Sequence, residues 1–381
     1  MATGLLKKDD FLCETEFSGE WFVGKMKFPA NEICLEEISL HSAQMTETFH
    51  GWAATNAGKA LAEFEFDPGA LRPEQVQVKV ESCGICHSDL SMLDNDWGNS
   101  SYPLVPGHEV VGVIEKTGDQ VKGLAVGDRV GLGWFAGSCM SCQPCLSGHH
   151  NLCAKGEQMI VGRHGGFADR VRANWEWAIK LPEKLDPASA GPLFCGGITV
   201  FAPITDFGVK PTDRVGVIGI GGLGHMAVQF LNKWGCEVTA FTSSEAKADE
   251  ARKLGAHHVV GTRDAAALAK IAGSLDFILV TVNVSVDWDA YIAALAPSGR
   301  LHFVGAVLEP VPVHAFSLIG GRKSISGSPL GSPATVATML DFCTRHSIAP
   351  VIETFAMSDV NAALDHLRSG KANYRIVLKN S

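Results

Sequence analysis

Cys139, Cys142, Cys145 and Cys153 fall within fifteen residues of one another, in the run GSCMSCQPCLSGHHNLC. Their spacings of three, three and eight suit one compact loop, and four thiolates saturate a tetrahedral zinc ion, so this set predicts a closed structural site. His149 and His150 lie nearby but are not needed for it. Cys86, His108 and Cys195 form a second set, scattered on either side of the first. Three protein ligands would leave one position of the ion open for water or substrate, which is what a catalytic zinc requires. Taken singly, a lone His or Cys is more often packed or solvated than ligating, and no local pattern marks these three. Their neighbours favour a metal. Asp89 follows Cys86 closely enough to orient a ligand imidazole, and Glu109 stands beside His108, able to approach the metal during ligand exchange.

A third group of residues points to a dinucleotide. Gly219-Ile220-Gly221-Gly222-Leu223-Gly224 directly follows the strand-like run RVGVI and opens a helical pattern through Ala227, Val228, Phe230 and Leu231. Strand, glycine turn and helix together are the context in which GxGxxG seats a pyrophosphate on a helix N-terminus. The other reading is a glycine-rich turn in an unrelated α/β domain. About twenty residues on, a carboxylate would bind the 2′-hydroxyl of NAD, but the second strand ends in Phe241-Thr242-Ser243-Ser244 with Lys247 a turn later. Hydroxyls and an ammonium suit a 2′-phosphate. NADP(H) is therefore expected, with Thr242, Ser243, Ser244 and Lys247 as its ribose-end contacts; Glu245, just past the strand tip, is the one acid nearby.

The elements that must hold these residues follow from patterning. From about residue 45 to 195, short β-branched runs such as VQVKVE and VVGVIEKTG alternate with Gly and Pro turns, an all-β texture that carries the metal ligands. After Cys195, the runs RVGVIGI, EVTAF, HHVVG, DFILVTV and RLHFVGA are separated by helix-length stretches, which implies a parallel sheet covered on both faces. The expected fold class is α/β, a β-rich catalytic domain plus a doubly wound cofactor domain. Its divisions are 1–44 as an N-terminal extension expected to be poorly ordered, 45–195 as the catalytic domain, 196–322 as the nucleotide domain, and 323–381 as a return segment completing the catalytic domain. In that last segment Ser332 and Pro333 open a helix through about His346, and Ser358 caps another that stops at Gly370. Met45 reads as the natural start of the folded chain.

A chain of 381 residues with 46% hydrophobic and 19% charged residues is long and apolar enough for two cores. A formal charge of −9, with no Lys/Arg cluster, argues against a nucleic-acid surface and leaves small molecules as expected partners. The start carries no apolar run that would serve as a signal peptide, and no later stretch would span a bilayer, so a cytoplasmic location is expected. In a reducing compartment the eleven cysteines are metal ligands or buried thiols rather than disulfides; Cys13, Cys34, Cys83, Cys236 and Cys343 have no metal context.

The motifs CGICHSDL, YPLVPGHEVVG, the cysteine loop, LFCGGIT and GIGGLGH occur in an order that resembles the zinc-dependent medium-chain alcohol dehydrogenases of the cinnamyl-alcohol-dehydrogenase type. TVFAPI and AFTSSEAK look particularly like bacterial and cyanobacterial NADP-dependent aldehyde reductases of that group. Two cysteines, a histidine and an open position form the known zinc set of alcohol dehydrogenases. The resemblance, over residues 45–381, implies a GroES-like catalytic domain and two zinc ions per chain. It implies that Cys86, His108 and Cys195 hold the catalytic zinc with Glu109 adjacent, that Ser88 accepts the alcohol proton, that His87 and Arg375 face the cofactor phosphates, and that Trp97 lines the substrate pocket. Several relatives have a histidine where this chain has Ser91, so the end of the proton relay stays open. Trp134 and Phe135 either extend the pocket or pack in the core. The implied activity is interconversion of aromatic or medium-chain primary alcohols and aldehydes with NADP(H), in a homodimer. A polyol or secondary-alcohol dehydrogenase using NAD, and a zinc- and nucleotide-binding redox sensor without turnover, are the alternatives.

Overall fold

A computed structural model of the chain describes residues 13–17, 20–24, 47–243 and 246–380. The described residues before 47 belong to one unit and those from Glu47 on to another. Within the first, Cys13–Phe17 pairs antiparallel with Glu20–Gly24, a hairpin in a stretch where the sequence offered no element. Most of the expected 1–44 extension lies outside the described residues.

The β-rich part of the second unit is built on the long strand Gln75–Ile85, whose valines at 76, 78 and 80 are buried. Two register shifts against Val110–Thr117 bend it on the way to Cys86. The sheet runs Ile179–Lys180, Arg129–Leu132, Val110–Thr117, Gln75–Ile85, Arg375–Lys379, Ile352–Ala356, and Arg170–Asn174 also pairs with Gln75–Ile85. Two strands of this sheet therefore come from the end of the chain. Arg375 enters the catalytic half by that route.

The second sheet is parallel throughout. Its order is His258–Gly261, Glu237–Thr242, Arg214–Ile218, Leu275–Val280, Leu295–Phe303, Ser324–Gly327. Numbered by position in the chain this is 3-2-1-4-5-6, the doubly wound order that binds dinucleotides where the order reverses. The reversal falls between Arg214–Ile218 and Leu275–Val280, beside the glycine turn. Helix Gly224–Trp234 leaves that turn with seven buried residues and stops at Gly235, whose φ of 111° terminates it in the left-handed region.

Two expectations about the tail need correction. A boundary at 322/323 cuts the parallel sheet one strand short, since Ser324–Gly327 is its last strand. Helix Pro333–His346 also buries Val336, Met339, Leu340 and Cys343 in the core shared with Phe201 and Phe230, so the return to the catalytic sheet comes later. Ser332 does cap that helix, accepting from the Thr335 amide at 3.3 Å. The last helix, Val360–Arg368, is preceded by a 3-10 turn over Met357–Asp359, and Asp359 rather than Ser358 holds the cap position. The 3-10 turn shifts the helix start by one residue. Among the described residues no single helix is long and apolar enough to cross a membrane.

Candidate active site

Cys86 ends the bent strand and caps helix His87–Asp94. Asp89, one turn in, is fully buried and accepts from the Cys86 amide at 2.8 Å and from the Gly107 amide at 2.9 Å. It also faces Nδ1 of His108 at 3.0 Å. A buried carboxylate with three donors fixes the imidazole so that Nε2 is the free nitrogen. That nitrogen lies 3.2 Å from Cys195 Sγ, and Cys195 Sγ is 3.9 Å from Cys86 Sγ. One ligand atom from each of Cys86, His108, Glu109 and Cys195 falls within 4.8 Å of all the others. Residues separated by more than a hundred positions thus converge on one point.

The electrostatics of this cluster suit a cation. The hydrogen bond from Cys195 holds the Cys86 thiol well below its ordinary value, against the opposing effect of burial, while the same bond and burial lift Cys195 well above. Burial raises the Glu109 carboxyl, with the Arg375 guanidinium pulling the other way. Glu109 Oε1 accepts from Arg375, but its buried Oε2 has no hydrogen-bond partner. Gly84 makes room for it, since a Cβ there would lie 2.1 Å from that oxygen. Two sulfurs, an imidazole nitrogen and an orphaned carboxylate oxygen are a donor set for zinc.

The clustered cysteines also converge, with ligand atoms within 4.8 Å of one another. Cys142 Sγ is 3.5 Å from Cys145 Sγ and 3.8 Å from Cys153 Sγ. Tetrahedral geometry with Zn–S near 2.3 Å requires roughly 3.8 Å between sulfurs. The loop solvates its own thiolates: the Cys142 amide donates to Cys139 Sγ at 3.3 Å and the Cys139 amide to Cys153 Sγ at 3.5 Å. Amide donors from Ser141 and Cys142 bring the Cys139 thiol down to about 5, whereas burial pushes Cys145 up to about 12. His149 and His150 are not among the converging ligands.

Around the first cluster, Ser88 Oγ sits 3.7 Å from Cys86 Sγ on a partly buried turn. Ser91, on the same helix, is buried. Trp134 packs edge-on to the His108 ring at 5.0 Å and to Trp97 at 5.9 Å, both indoles partly exposed. Phe135 is buried against Trp177 at 5.0 Å and belongs to the core. Trp134 lies in the bend between the strands Arg129–Leu132 and Phe135–Gly137 and stays partly exposed, whereas Phe135 opens a strand whose three residues are all buried.

At the glycine turn, Gly219 has a φ of 90°, and a Cβ on Gly224 would lie 1.8 Å from the Gly219 carbonyl oxygen. Gly221 is different. A Cβ there would meet nothing within 4 Å, so no protein atom demands a glycine at that place; open space before the backbone is what an approaching pyrophosphate requires. Gly222 lies beside Arg375, whose Nη1 would be 3.0 Å from its Cβ, and Leu223 packs on the core behind. Arg375 therefore spans from the turn to Glu109. Thr242 is buried at the end of its strand, Ser243 is exposed at the tip, and Lys247 Nζ donates to the Ile220 carbonyl at 3.2 Å. Ser244 and Glu245 lie outside the described residues. His87 Nε2 faces Asn283 Nδ2 at 3.2 Å, a link from the catalytic helix to the nucleotide domain. Asn283 is not legible in the sequence, because a solitary amide after a strand carries no pattern.

The chain matches the family models for the alcohol dehydrogenase GroES-like domain over residues 72–183 and the zinc-binding dehydrogenase over residues 222–345. It is 57% identical over 330 residues to the aldehyde reductase AdhA of Synechocystis sp., an alignment covering 87% of this chain and 98% of that one. Among solved structures, a cinnamyl alcohol dehydrogenase from Sorghum bicolor superposes with a TM-score of 0.84 at 38% identity, covering 87% of this chain and 98% of that one. The cinnamyl alcohol dehydrogenase of Helicobacter pylori, complexed with NADP(H), does so with a TM-score of 0.80 at 30% identity, covering 88% and 99%. With its donor sets, sheet order and these relatives agreeing, the chain belongs to the zinc-dependent medium-chain alcohol dehydrogenases of the cinnamyl-alcohol-dehydrogenase type.

Proposed function

We propose that this protein reduces aromatic or medium-chain aldehydes to primary alcohols with NADPH, and runs the reverse reaction with NADP+. The observation that carries the reading is the buried convergence of Cys86, His108, Glu109 and Cys195 beside the partly exposed indoles of Trp97 and Trp134. Cys86, His108 and Cys195 would hold Zn2+, Glu109 completing the set during ligand exchange, while Cys139, Cys142, Cys145 and Cys153 hold a second, structural ion. Bound there, zinc supplies Lewis acidity to a carbonyl or hydroxyl oxygen, and the nicotinamide supplies the hydride.

The protein's own residues do the rest. Asp89 keeps the His108 imidazole in one orientation and one tautomer. Ser88 gives a proton to the nascent alkoxide in reduction and takes it from the alcohol in oxidation. Trp97 and Trp134 exclude water and present flat apolar faces to the substrate. Gly219, Gly221, Gly222, Leu223 and Gly224 offer backbone to the pyrophosphate, with His87 facing the phosphates and Arg375 contributing positive charge. Thr242, Ser243, Ser244 and Lys247 hold the 2′-phosphate end. Relatives named aldehyde reductase and cinnamyl alcohol dehydrogenase support the substrate class, and a neighbour complexed with NADP(H) supports the cofactor.

Association as a homodimer is part of the same reading. The strand Ser324–Gly327 closes one edge of the parallel sheet, and Leu308, Phe316 and Ile319 near it in sequence are 68%, 86% and 69% exposed. An open edge flanked by apolar side chains is suited to a two-fold contact. A sedimentation mass near that of one 40.5 kDa chain at micromolar concentration would refute it. A cytoplasmic location accords with the free thiols of Cys83, Cys236 and Cys343.

Initial rates with benzaldehyde and with acetone, each with NADPH and NADH, test the function. Consumption of NADPH with benzaldehyde well above every other combination is expected. Preference for NADH, or for the ketone, would replace this reading with the polyol or secondary-alcohol alternative. Lys247→Ala should raise the KM for NADPH about tenfold while moving that for NADH little, the scale of one charge-assisted hydrogen bond.

A further inference from the structure

We infer that Tyr374 is a positioning residue for cofactor discrimination, holding the Lys247 ammonium at the glycine turn; the inference rests on the proposed role of Lys247 at the 2′-phosphate. Tyr374 immediately precedes the strand Arg375–Lys379 and is 6% exposed. Its ring is stacked on His225, with centroids 4.8 Å apart and planes 10° from parallel. His225 in turn faces the Gly221 carbonyl oxygen through Nδ1 at 3.0 Å, and its Nε2 accepts from the Val351 amide at 3.2 Å. The ring is thereby tied to the turn that would carry the pyrophosphate.

Its hydroxyl reaches the other way. It donates to Glu250, which lies one turn beyond Lys247 on helix Ala246–Lys253, so the two side chains share a face. Lys247 Nζ stands 5.8 Å from the Tyr374 ring centroid and donates to the Ile220 carbonyl at 3.2 Å. An ammonium has three donors; with one on Ile220, two are left for phosphate oxygens. A lysine loses much rotamer freedom when it is fixed, and the ring and the carbonyl restrict it before any phosphate arrives. The glycine turn and Lys247 are legible in the sequence, but the link through Tyr374 is not, because Tyr374 and Lys247 are more than a hundred residues apart.

The ratio of kcat/KM for NADPH to that for NADH reads this arrangement directly. Tyr374→Leu should lower the ratio about fivefold, mainly through the KM for NADPH, the scale of one cation–π contact. Tyr374→Phe, which keeps the ring, should hold the ratio within about twofold of the native value. Tyr374→Met, of similar bulk but without a ring, gives the same answer should the leucine variant not fold. Lys247→Ala serves as the reference. An unchanged ratio in Lys247→Ala would remove the underlying reading and the inference with it. A fall in Lys247→Ala with an unchanged ratio in Tyr374→Leu and Tyr374→Met would leave Lys247 in its role and overturn the inference alone. Equal losses for both cofactors in the ringless variants would mean that Tyr374 only packs, and would overturn it too.

Discussion

The two metal sites are built in opposite ways. The four clustered cysteines need only one loop, pinned by the pairing of Phe135–Gly137 with Glu157–Gln158 and tethered through Asn151 to the Pro329 carbonyl at 2.9 Å. The Cys86, His108, Glu109 and Cys195 cluster needs a bent strand, a helix cap, a loop and the start of the helix Gly196–Asp206, all fully packed. The first site is solvated by its own amides and partly exposed; the second is buried, with an unsatisfied carboxylate oxygen and a neighbouring arginine. A local site stabilises the segment that contains it. A site assembled from distant segments spends the stability of the whole domain on one reactive arrangement.

Substitutions should separate them. His108→Ala should lower kcat about a thousandfold or more, the kinetic counterpart of ~4 kcal/mol, while the protein still folds and keeps the ion of the cysteine loop. Cys142→Ser should do the reverse, lowering Tm by about 10 °C while the folded fraction keeps its turnover within a few-fold. If both variants lost activity and stability in parallel, the contrast between the sites would be wrong. A finer probe is Asp89→Asn, which leaves the ligand atoms in place but weakens the carboxylate that orients His108. It should cost about 10- to 100-fold in activity or in zinc affinity at the catalytic site only. Equal zinc loss from the cysteine loop would contradict that placement.

The difference between the sites also explains what could be read from the sequence. The loop was legible because its ligands are neighbours and spacing alone constrains them. The glycine turn was legible because a strand precedes Gly219 and a helix follows Gly224. The scattered trio was legible mainly through resemblance, since no local rule joins Cys86 to Cys195. Contacts made by a single side chain across the fold left no trace at all: Asn283 on His87, Tyr374 over His225, Gly84 beneath Glu109. The true end of the parallel sheet is hidden in the sequence because Ser324–Gly327 is short and partly exposed, without the apolar run of the other parallel strands. The pairing of Cys13–Phe17 with Glu20–Gly24 is not legible because the two five-residue runs, CETEF and EWFVG, share no pattern: one alternates charged residues and the other is an apolar run behind a single glutamate.

The smallest effect concerns pH and falls on the nucleotide domain. Burial brings His225 and His302 each down to about 4, from an ordinary value near 6.5. Between those values the unfolded chain binds more protons than the folded one, so their contribution is complete above about pH 6.5 and is lost as pH falls toward 4. At pH 5 the loss should be roughly 2 kcal/mol at most for each. Denaturant midpoints measured from pH 7 to 5 with zinc in excess should fall, and the slope should be shallower in His302→Gln. A flat profile would mean that these imidazoles are not held neutral by burial.

The central claim is that one chain carries two zinc ions with separate duties. Metal analysis of chelator-free protein tests it most directly, taken on the native chain, Cys142→Ser and His108→Ala together with turnover. About two equivalents are expected in the native protein and about one in each variant, with activity kept in the folded Cys142→Ser protein and lost in His108→Ala. One equivalent in the native chain, or loss of the same ion and the same activity in both variants, would contradict the account.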